Sequence, residues 1–480
     1  MKRKGTPGSG IRDYLLSLSK KELVALILKS SAGDAAYLNE LLLKKAKKVP
    51  KPEPEPERED SLKDLLQRAI VPKRRIFGYG AAAYAHDAYD AIFRIRFVID
   101  EGKAREAMEL CEFAIKKVNK AFEYVDDSYN GCLSGMMKEL EDIYLDACTK
   151  ANPDRAELGR KLFKMHTDNE IDIFYKAAKR FAAVLGDAGL KSFKESAKAA
   201  WDALTEAEQK DSYGKAFKIK YALLDLAEMS GDFEEQIKLK SIDLSAPYSY
   251  LEVSQIYEKA GNRKSAIEWA ENGIKNFPKF QDSRVKDFLA ELYVKEKRIS
   301  GAVQLAWENY EQSPGPETFA ALKKYSDMSG VWNEYRQKAM GLLNQRIESE
   351  KNRVYGVKNL PYREHNGKLV EILLWEKKED EAWDAALQGG CYEHIWQKLA
   401  DARFKKHPMD TVYAYKQIIN TVLLNATKYA YKHAVSYIKD IKSIMMENRK
   451  ENDYTDYMAG LREKHRAKKS FIAMLDKKKL

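Results

Sequence analysis

The chain has 480 residues, of which 44% are hydrophobic and 33% charged, and its formal net charge is +11. This much apolar material excludes wholesale disorder, and 25 Gly and 13 Pro are too few for an all-β fold that turns about every ten residues. No membrane span or export signal is visible, and four cysteines are too few for a disulfide framework, so we expect a cytoplasmic protein.

The N-terminal part of the sequence predicts a small helical unit on a tether. The sequence of residues 1–10 is typical of a disordered tail. Over 11–46, a capping box at Ser19-Lys20-Lys21-Glu22 precedes an apolar stripe at helical spacing. Over 47–60, four prolines alternate with Lys and Glu, which is typical of an extended polyproline-like linker.

From residue 61 onward the apolar pattern is helical, and it contains a degenerate internal repeat. Small residues recur at i, i+4 and i+7, which gives one helix a flat face that a partner helix can approach closely. The triplets are Ala107-Cys111-Ala114, Ala266-Ala270-Gly273, Ala302-Ala306-Asn309 and Ala382-Ala386-Gly389, with turn residues Gly102, Gly261 and Lys377 five positions before the first, second and fourth.

This spacing predicts an all-α fold of the tetratricopeptide-like solenoid type, a right-handed superhelix of antiparallel helix pairs. We expect an N-terminal helical region over 61–200 and tetratricopeptide-like repeats over 201–400. Basic C-terminal helices are expected over 401–480.

Positive charge is concentrated at the two ends of the chain. Residues 1–75 carry a net charge of +8 and residues 400–480 carry +9, whereas residues 76–399 carry −6. Basic ends are typical of proteins that contact nucleic-acid phosphates without recognising the base sequence. They are equally typical of a solubilising cap at the end of a solenoid. If they bind nucleic acid, removing residues 457–480 is expected to lower duplex affinity without loss of helicity. The candidate phosphate-contacting residues are Lys73, Arg74, Arg75, Arg462, Lys464, Arg466, Lys468 and Lys469.

The most unusual polar cluster is the turn that contains Asp126, Asp127 and Ser128, just before Asn130-Gly131. A helix cap explains it, and the alternative is a carboxylate pair for metal or acid–base chemistry. No zinc, phosphate-loop, nucleophile or dinucleotide motif occurs in the context that it requires. We therefore predict no enzyme activity, no metal and no cofactor.

Several segments resemble the helical C-terminal region of bacterial SWIM-type zinc-finger proteins and a related stand-alone bacterial family of unknown function. The SWIM zinc motif itself is absent, because no Cys-x-Cys occurs in the chain, so the resemblance implies a helical repeat module without zinc. The segments that carry it are Ala266–Ala270, Phe288–Tyr293, Ala302–Trp307, Trp332–Arg336, Ala382-Trp383, Trp396–Ala400 and Leu461–Lys469.

These features favour a non-enzymatic helical-repeat scaffold that mediates protein–protein interaction. A protein or peptide partner would lie in the solenoid groove, and no membrane partner is expected. The alternative is a sequence-independent nucleic-acid-binding accessory protein that acts through its basic terminal helices.

Overall fold

The computed structural model describes residues 61–76, 80–126, 131–168, 174–211, 213–280, 282–351 and 364–480. The predicted tail, N-terminal helical unit and linker over 1–60 lie outside these residues. The described residues form 23 helices, and their only β contact is an isolated parallel bridge between Ile76 and Val125. They divide into two compact units, with the boundary between Asp243 and Leu244.

Unit 1 has one hydrophobic core that extends from Leu66 to Leu239. Long amphipathic helices form its pairs, and two helices of four residues each connect them. The helices are α1 (Leu62–Ile70), α2 (Gly80–Asp100), α3 (Ala104–Ala121), α4 (Cys132–Ala151), α5 (Arg155–Asp168), α6 (Ala177–Arg180), α7 (Ala182–Asp202), α8 (Glu206–Gln209), α9 (Gly214–Ser230) and α10 (Phe233–Lys240).

Unit 2 has two core clusters, one around Leu289 and Tyr310 and one around Trp396 and Ile438. Its helices are α11 (Pro247–Lys259), α12 (Arg263–Asn276), α13 (Ser283–Lys295), α14 (Ile299–Gln312), α15 (Pro316–Met328), α16 (Trp332–Lys351), α17 (Glu364–Trp375), α18 (Glu379–Gly389), α19 (Glu393–Arg403), α20 (Pro408–Val422), α21 (Lys428–Glu447), α22 (Glu451–Lys464) and α23 (Lys469–Lys477).

The same kind of turn recurs between the first and the second helix of a pair. A residue with left-handed φ ends the first helix, and the next N–H donates to a carbonyl five positions back, which is the Schellman motif. At Lys377 φ is 62°, and the N–H of Lys378 donates to the Leu373 carbonyl over 2.9 Å. The predicted turns at Gly102, Gly261 and Lys377 are present, and the same turn also occurs at Gly231, Lys297, Gly330 and Arg449.

The small-residue triplets lie on buried helix faces, as their spacing predicts. Ala107, Cys111 and Ala114 are completely buried on α3. In unit 2, the third member of each triplet corresponds to a position on the preceding helix that lies eleven residues before the left-handed residue of the turn, and two of these pairs, Tyr250 with Gly273 and Asn366 with Gly389, are in contact. The corresponding pairs of positions are Tyr250 and Gly273, Lys286 and Asn309, and Asn366 and Gly389.

The prediction of an all-α, tetratricopeptide-like helical-repeat fold is confirmed by these helix pairs and their common turn. The division at residue 243 differs from the expected boundaries at 200 and 400, which stay predictions. Across the described ranges, no helix is long and apolar enough to cross a membrane.

Candidate functional site

The structure brings the two polar sequences of the N-terminal half to one place. The N–H of Ile76, which follows the basic cluster Lys73–Arg75, donates to the Tyr124 carbonyl over 2.9 Å. The N–H of Asp126 donates back to the Ile76 carbonyl over 3.2 Å. The basic cluster and the acidic turn are therefore joined by a two-bond bridge, which nothing in the sequence pattern indicates.

At this bridge the three cationic side chains of residues 73–75 and the side chain of Asp126 are exposed. Helix α4 begins after Gly131, whose φ of 60° is left-handed, so Asp126 lies five positions before the N-cap and its main chain belongs to the bridge. Asp127 and Ser128 lie outside the described residues, and for them a polar site or a helix cap stays a prediction.

The C-terminal basic segment uses several of its cations to hold its own helices. Arg462 forms an ion pair with Asp476 at 2.8 Å and donates to the main-chain oxygen of Leu480. Arg466 pairs with Glu463 at 3.0 Å, and Lys464 donates to the Asn420 side chain over 3.2 Å. Among the five candidate phosphate-contacting cations here, only Lys468 and Lys469 form no ion pair or side-chain hydrogen bond with the rest of the described structure.

The packing of the C-terminal helices argues against the expectation that residues 457–480 can be removed without loss of helicity, which stays a prediction. Phe471 and Leu475 are completely buried, and the Phe471 ring lies 5.6 Å from the ring of Tyr431 on α21. Leu461 is also buried in the same core. Removal of the segment would therefore expose the second core of unit 2, so its charges must be tested by substitution.

A third candidate surface lies in unit 2, where α11 and α13 meet, and sequence reasoning missed it. The guanidinium of Arg284 lies 4.2 Å from the centre of the Tyr248 ring. Both oxygens of Asp282 accept hydrogen bonds from Arg284, at 2.5 to 3.1 Å. These hydrogen bonds lower the pKa of Asp282 and raise that of Arg284. The Asp-Ser-Arg sequence at the start of a predicted helix is the only local signal for it.

The aromatic–arginine surface of Tyr248, Asp282 and Arg284 is open to a partner. Tyr248 is 41% exposed, and the neighbouring Phe280 is 78% exposed. Tyrosine and arginine are enriched among residues that dominate binding energy at protein interfaces. Because Asp282 already fixes the guanidinium, a partner would lose less side-chain entropy in using it.

No comparable group in the described residues points to a metal or a reactive nucleophile. No set of three His, Cys, Asp or Glu side chains in those residues could hold a metal ion. Burial raises the pKa of the Cys111, Cys148 and Cys391 thiols, which disfavours the thiolate that a nucleophile requires.

The fold and these surfaces define a helical-repeat protein of the tetratricopeptide-like class. The chain belongs to a family of unknown function, DUF6880, whose model matches residues 13–473. This match does not test the resemblance to SWIM-type zinc-finger proteins, which stays a prediction. A comparison with curated proteins gave no match.

Among solved structures, the chain is similar to a structure of Naa15/Naa10 bound to HypK-THB, at 15% identity over 61% of this chain with a TM-score of 0.24. It spans 42% of that chain. It is also similar to the human IFIT1 dimer with PPP-AAAA, at 11% identity over 83% of this chain and 93% of the other, with a TM-score of 0.20. These likenesses are too weak to carry an argument about function.

Proposed function

We propose that this protein is a non-enzymatic, cytoplasmic scaffold that binds a partner protein through the first helices of the pairs in unit 2. The observation that carries the proposal is the aromatic–arginine surface, where Arg284 is held between Tyr248 and Asp282. Helices α11 and α13 are first helices of successive pairs, so a partner lying across them would contact two repeats at once. Extended binding surfaces of this kind are the usual use of helical repeats.

The polar side chains of the unit support a scaffold rather than a catalyst, because their partners are structural. Lys286 is 2% exposed and pairs with Glu308 on α14 at 2.9 Å. Lys295 on α13 pairs with Glu258 on α11 at 2.8 Å, which joins two first helices. Both lysines therefore hold neighbouring helices together, which is a structural role.

Nucleic-acid binding is the second candidate, and the C-terminal ion pairs weaken it. Phosphate contacts need cations that can exchange a counterion for phosphate, and Arg462 and Arg466 are already paired with carboxylates. The exposed basic cluster at residues 73–75 still favours this candidate. The two functions are separated by whether nuclease treatment removes the captured partner.

The experiment is affinity capture of the full chain from cells of its own host, with and without nuclease, followed by quantitative mass spectrometry. We expect one or more proteins to be captured even after nuclease treatment. The captured amount of these proteins should fall at least tenfold for Arg284→Ala and for Tyr248→Ala. The matched control is Arg263→Ala, which removes an arginine of the same unit that pairs with Glu258 and Glu296 and, among the described residues, stacks on no ring.

Two outcomes would overturn the proposal. Capture that disappears entirely with nuclease would indicate a nucleic-acid bridge. Equal loss of the partner in Arg263→Ala and Arg284→Ala would show that the aromatic–arginine surface has no special role.

A further inference from the structure

Helices α20 and α21 of unit 2 carry a continuous series of aromatic rings. Tyr429, His433 and Tyr437 recur every four residues on α21, so they lie along one edge of the helix, about 6 Å apart along its axis. The His433 ring centre lies 6.1 Å from that of Tyr429 and 5.1 Å from that of Tyr437. The series continues to Tyr415 on α20, whose ring centre lies 5.0 Å from that of Tyr437. Tyr429 is 78% exposed, so the series opens to solvent at the first turn of α21.

A row of lysines runs along α21 beside these rings. Lys428 and Lys432 are exposed at the start of the helix, and Lys439 is exposed two turns further on. In an α-helix these three positions lie within about 40° of one another, next to the edge that carries the rings. Within the described chain, Lys428 and Lys432 form no ion pair or side-chain hydrogen bond. Their charges are therefore available to an anionic ligand.

Neighbouring carboxylates restrict such a ligand to one end of the two rows. Glu393 on α19 lies 3.4 Å from His433 Nδ1, so this carboxylate already has a partner. Burial and nearby carboxylates, among them Asp401 and Asp440, raise the pKa of Tyr437 to about 12. An anion would be repelled at the Tyr437 end and favoured at the opposite end, where the two lysines of the first turns lie.

We propose that the ring-and-lysine surface, made of Lys428, Tyr429, Lys432 and His433, binds single-stranded nucleic acid. A base would stack on the exposed Tyr429 ring, and adjacent phosphates would contact the two ammonium groups. Aromatic rings beside a positively charged track are the usual means by which proteins bind single strands without reading their sequence. A duplex is the poorer ligand for the rings, because its bases are already stacked on one another. This surface shares no residue with the aromatic–arginine surface and does not rest on the proposed scaffold function.

The composition of the ring-and-lysine surface favours nucleic acid over a protein as its partner. Lysine is depleted at protein–protein interfaces relative to the rest of the surface, whereas a single-strand site requires cations along the backbone. The surface also lies within residues 400–480, whose net charge of +9 attracts a polyanion from a distance.

The test measures, by fluorescence anisotropy, how the full chain binds a labelled oligothymidylate of about 15 nucleotides and a duplex of the same length. Tyr429→Ala should weaken binding of the single strand about tenfold and binding of the duplex less than twofold, because only an unpaired base can stack on the ring. The matched control is Tyr213→Ala, which removes an 81% exposed tyrosine from unit 1 and should change neither affinity.

The lysines are tested through the salt dependence of single-strand binding. Each phosphate contact contributes about 0.7 to the slope of log affinity against log salt, so Lys428→Gln/Lys432→Gln should lower the slope by about 1.4. The control Lys194→Gln/Lys198→Gln removes two exposed lysines at the same spacing from α7 and should leave the slope unchanged.

Three outcomes would overturn the proposal. The first is no retention of the single strand at about 50 mM salt, where phosphate contacts are strong. The second is a loss in Tyr429→Ala that is equal for strand and duplex, or equal to that in Tyr213→Ala. The third is loss of a captured protein in Tyr429→Ala with unchanged single-strand affinity, which would show that this surface docks a protein instead.

Discussion

The side-chain amide of Asn366 on α17 occupies the space above Gly389 on α18. Its Nδ2 donates to the carbonyl of Ala385 over 3.0 Å and to that of Gly390 over 2.7 Å. A Cβ at Gly389 would lie 2.2 Å from Asn366 Cγ, so only glycine fits beneath the amide. Asn366 is 4% exposed and ties the end of the second helix of the pair to the first.

We predict that Gly389→Ala destabilises unit 2 by about 1–3 kcal/mol, because the new methyl overlaps a hydrogen-bonded amide that has no room to move. Asn366→Ala should cost a similar amount, about 1–3 kcal/mol, because it removes the donor from two carbonyls. Denaturant unfolding followed by tryptophan fluorescence measures both changes.

The double variant Asn366→Ala/Gly389→Ala should be more stable than the sum of the single losses implies, because the overlap disappears with the amide. Gly341→Ala is the control, since a Cβ there meets nothing within 4 Å and the residue lies inside α16. This control should gain about 0.5–1 kcal/mol. Strict additivity of the two losses would contradict the steric explanation.

The turn at Lys377 gives a second prediction. Lys377 adopts a φ of 62° in the position where Gly261 stands in an earlier repeat. Lys377→Gly should stabilise the protein by up to about 1 kcal/mol, because it relieves left-handed strain at a helix C-terminus. Gly261→Ala should destabilise by a similar amount, and its Cβ meets nothing within 4 Å, so sterics with neighbours cannot account for the loss. Thermal melting of both variants checks the opposite signs.

The sequence pattern was sufficient to predict the helix pairs, but it did not predict which side chains meet between helices. Small residues at fixed spacing and a turn residue five positions earlier depend only on local geometry, so the turn at Lys377 could be predicted although it lacks glycine. The pairing of Arg462 with Asp476, or of Arg284 with Tyr248 36 positions earlier, depends on how helices meet.

His465 gives a prediction about pH. Its Nε2 is buried without a hydrogen-bond partner in the described structure, and its ring lies 6.1 Å from that of Phe471. Burial, with Lys464 and Lys468 nearby, lowers the pKa of His465 below its ordinary value. The unfolded chain therefore binds this proton more readily than the folded one, so stability is complete above about pH 6.5 and is lost as the pH falls toward the folded pKa.

His465→Gln should remove this part of the loss of melting temperature between pH 7.5 and pH 5.5. Lys468→Gln should reduce it, because one repelling charge is removed. A melting temperature that falls equally in wild type and His465→Gln would show that His465 does not contribute.

The last prediction concerns the salt dependence of any duplex binding by the C-terminal segment. Each phosphate contact contributes about 0.9 to the slope of log affinity against log salt. If all five candidate cations between Arg462 and Lys469 contacted phosphate, their part of the slope would be about 4 to 5.

Because Arg462 and Arg466 form ion pairs and Lys464 donates a hydrogen bond to Asn420, we expect only Lys468 and Lys469 to contribute, with a slope of about 2. The double variant Lys468→Gln/Lys469→Gln should remove that slope and leave the melting temperature at pH 7.5 unchanged. Arg462→Gln should do the reverse, lowering the melting temperature through the lost contacts with Asp476 and Leu480 while leaving the slope intact. A fall in slope for Arg462→Gln, measured by fluorescence anisotropy between about 50 and 200 mM salt, would show that the ion pair opens for phosphate and would restore the nucleic-acid candidate.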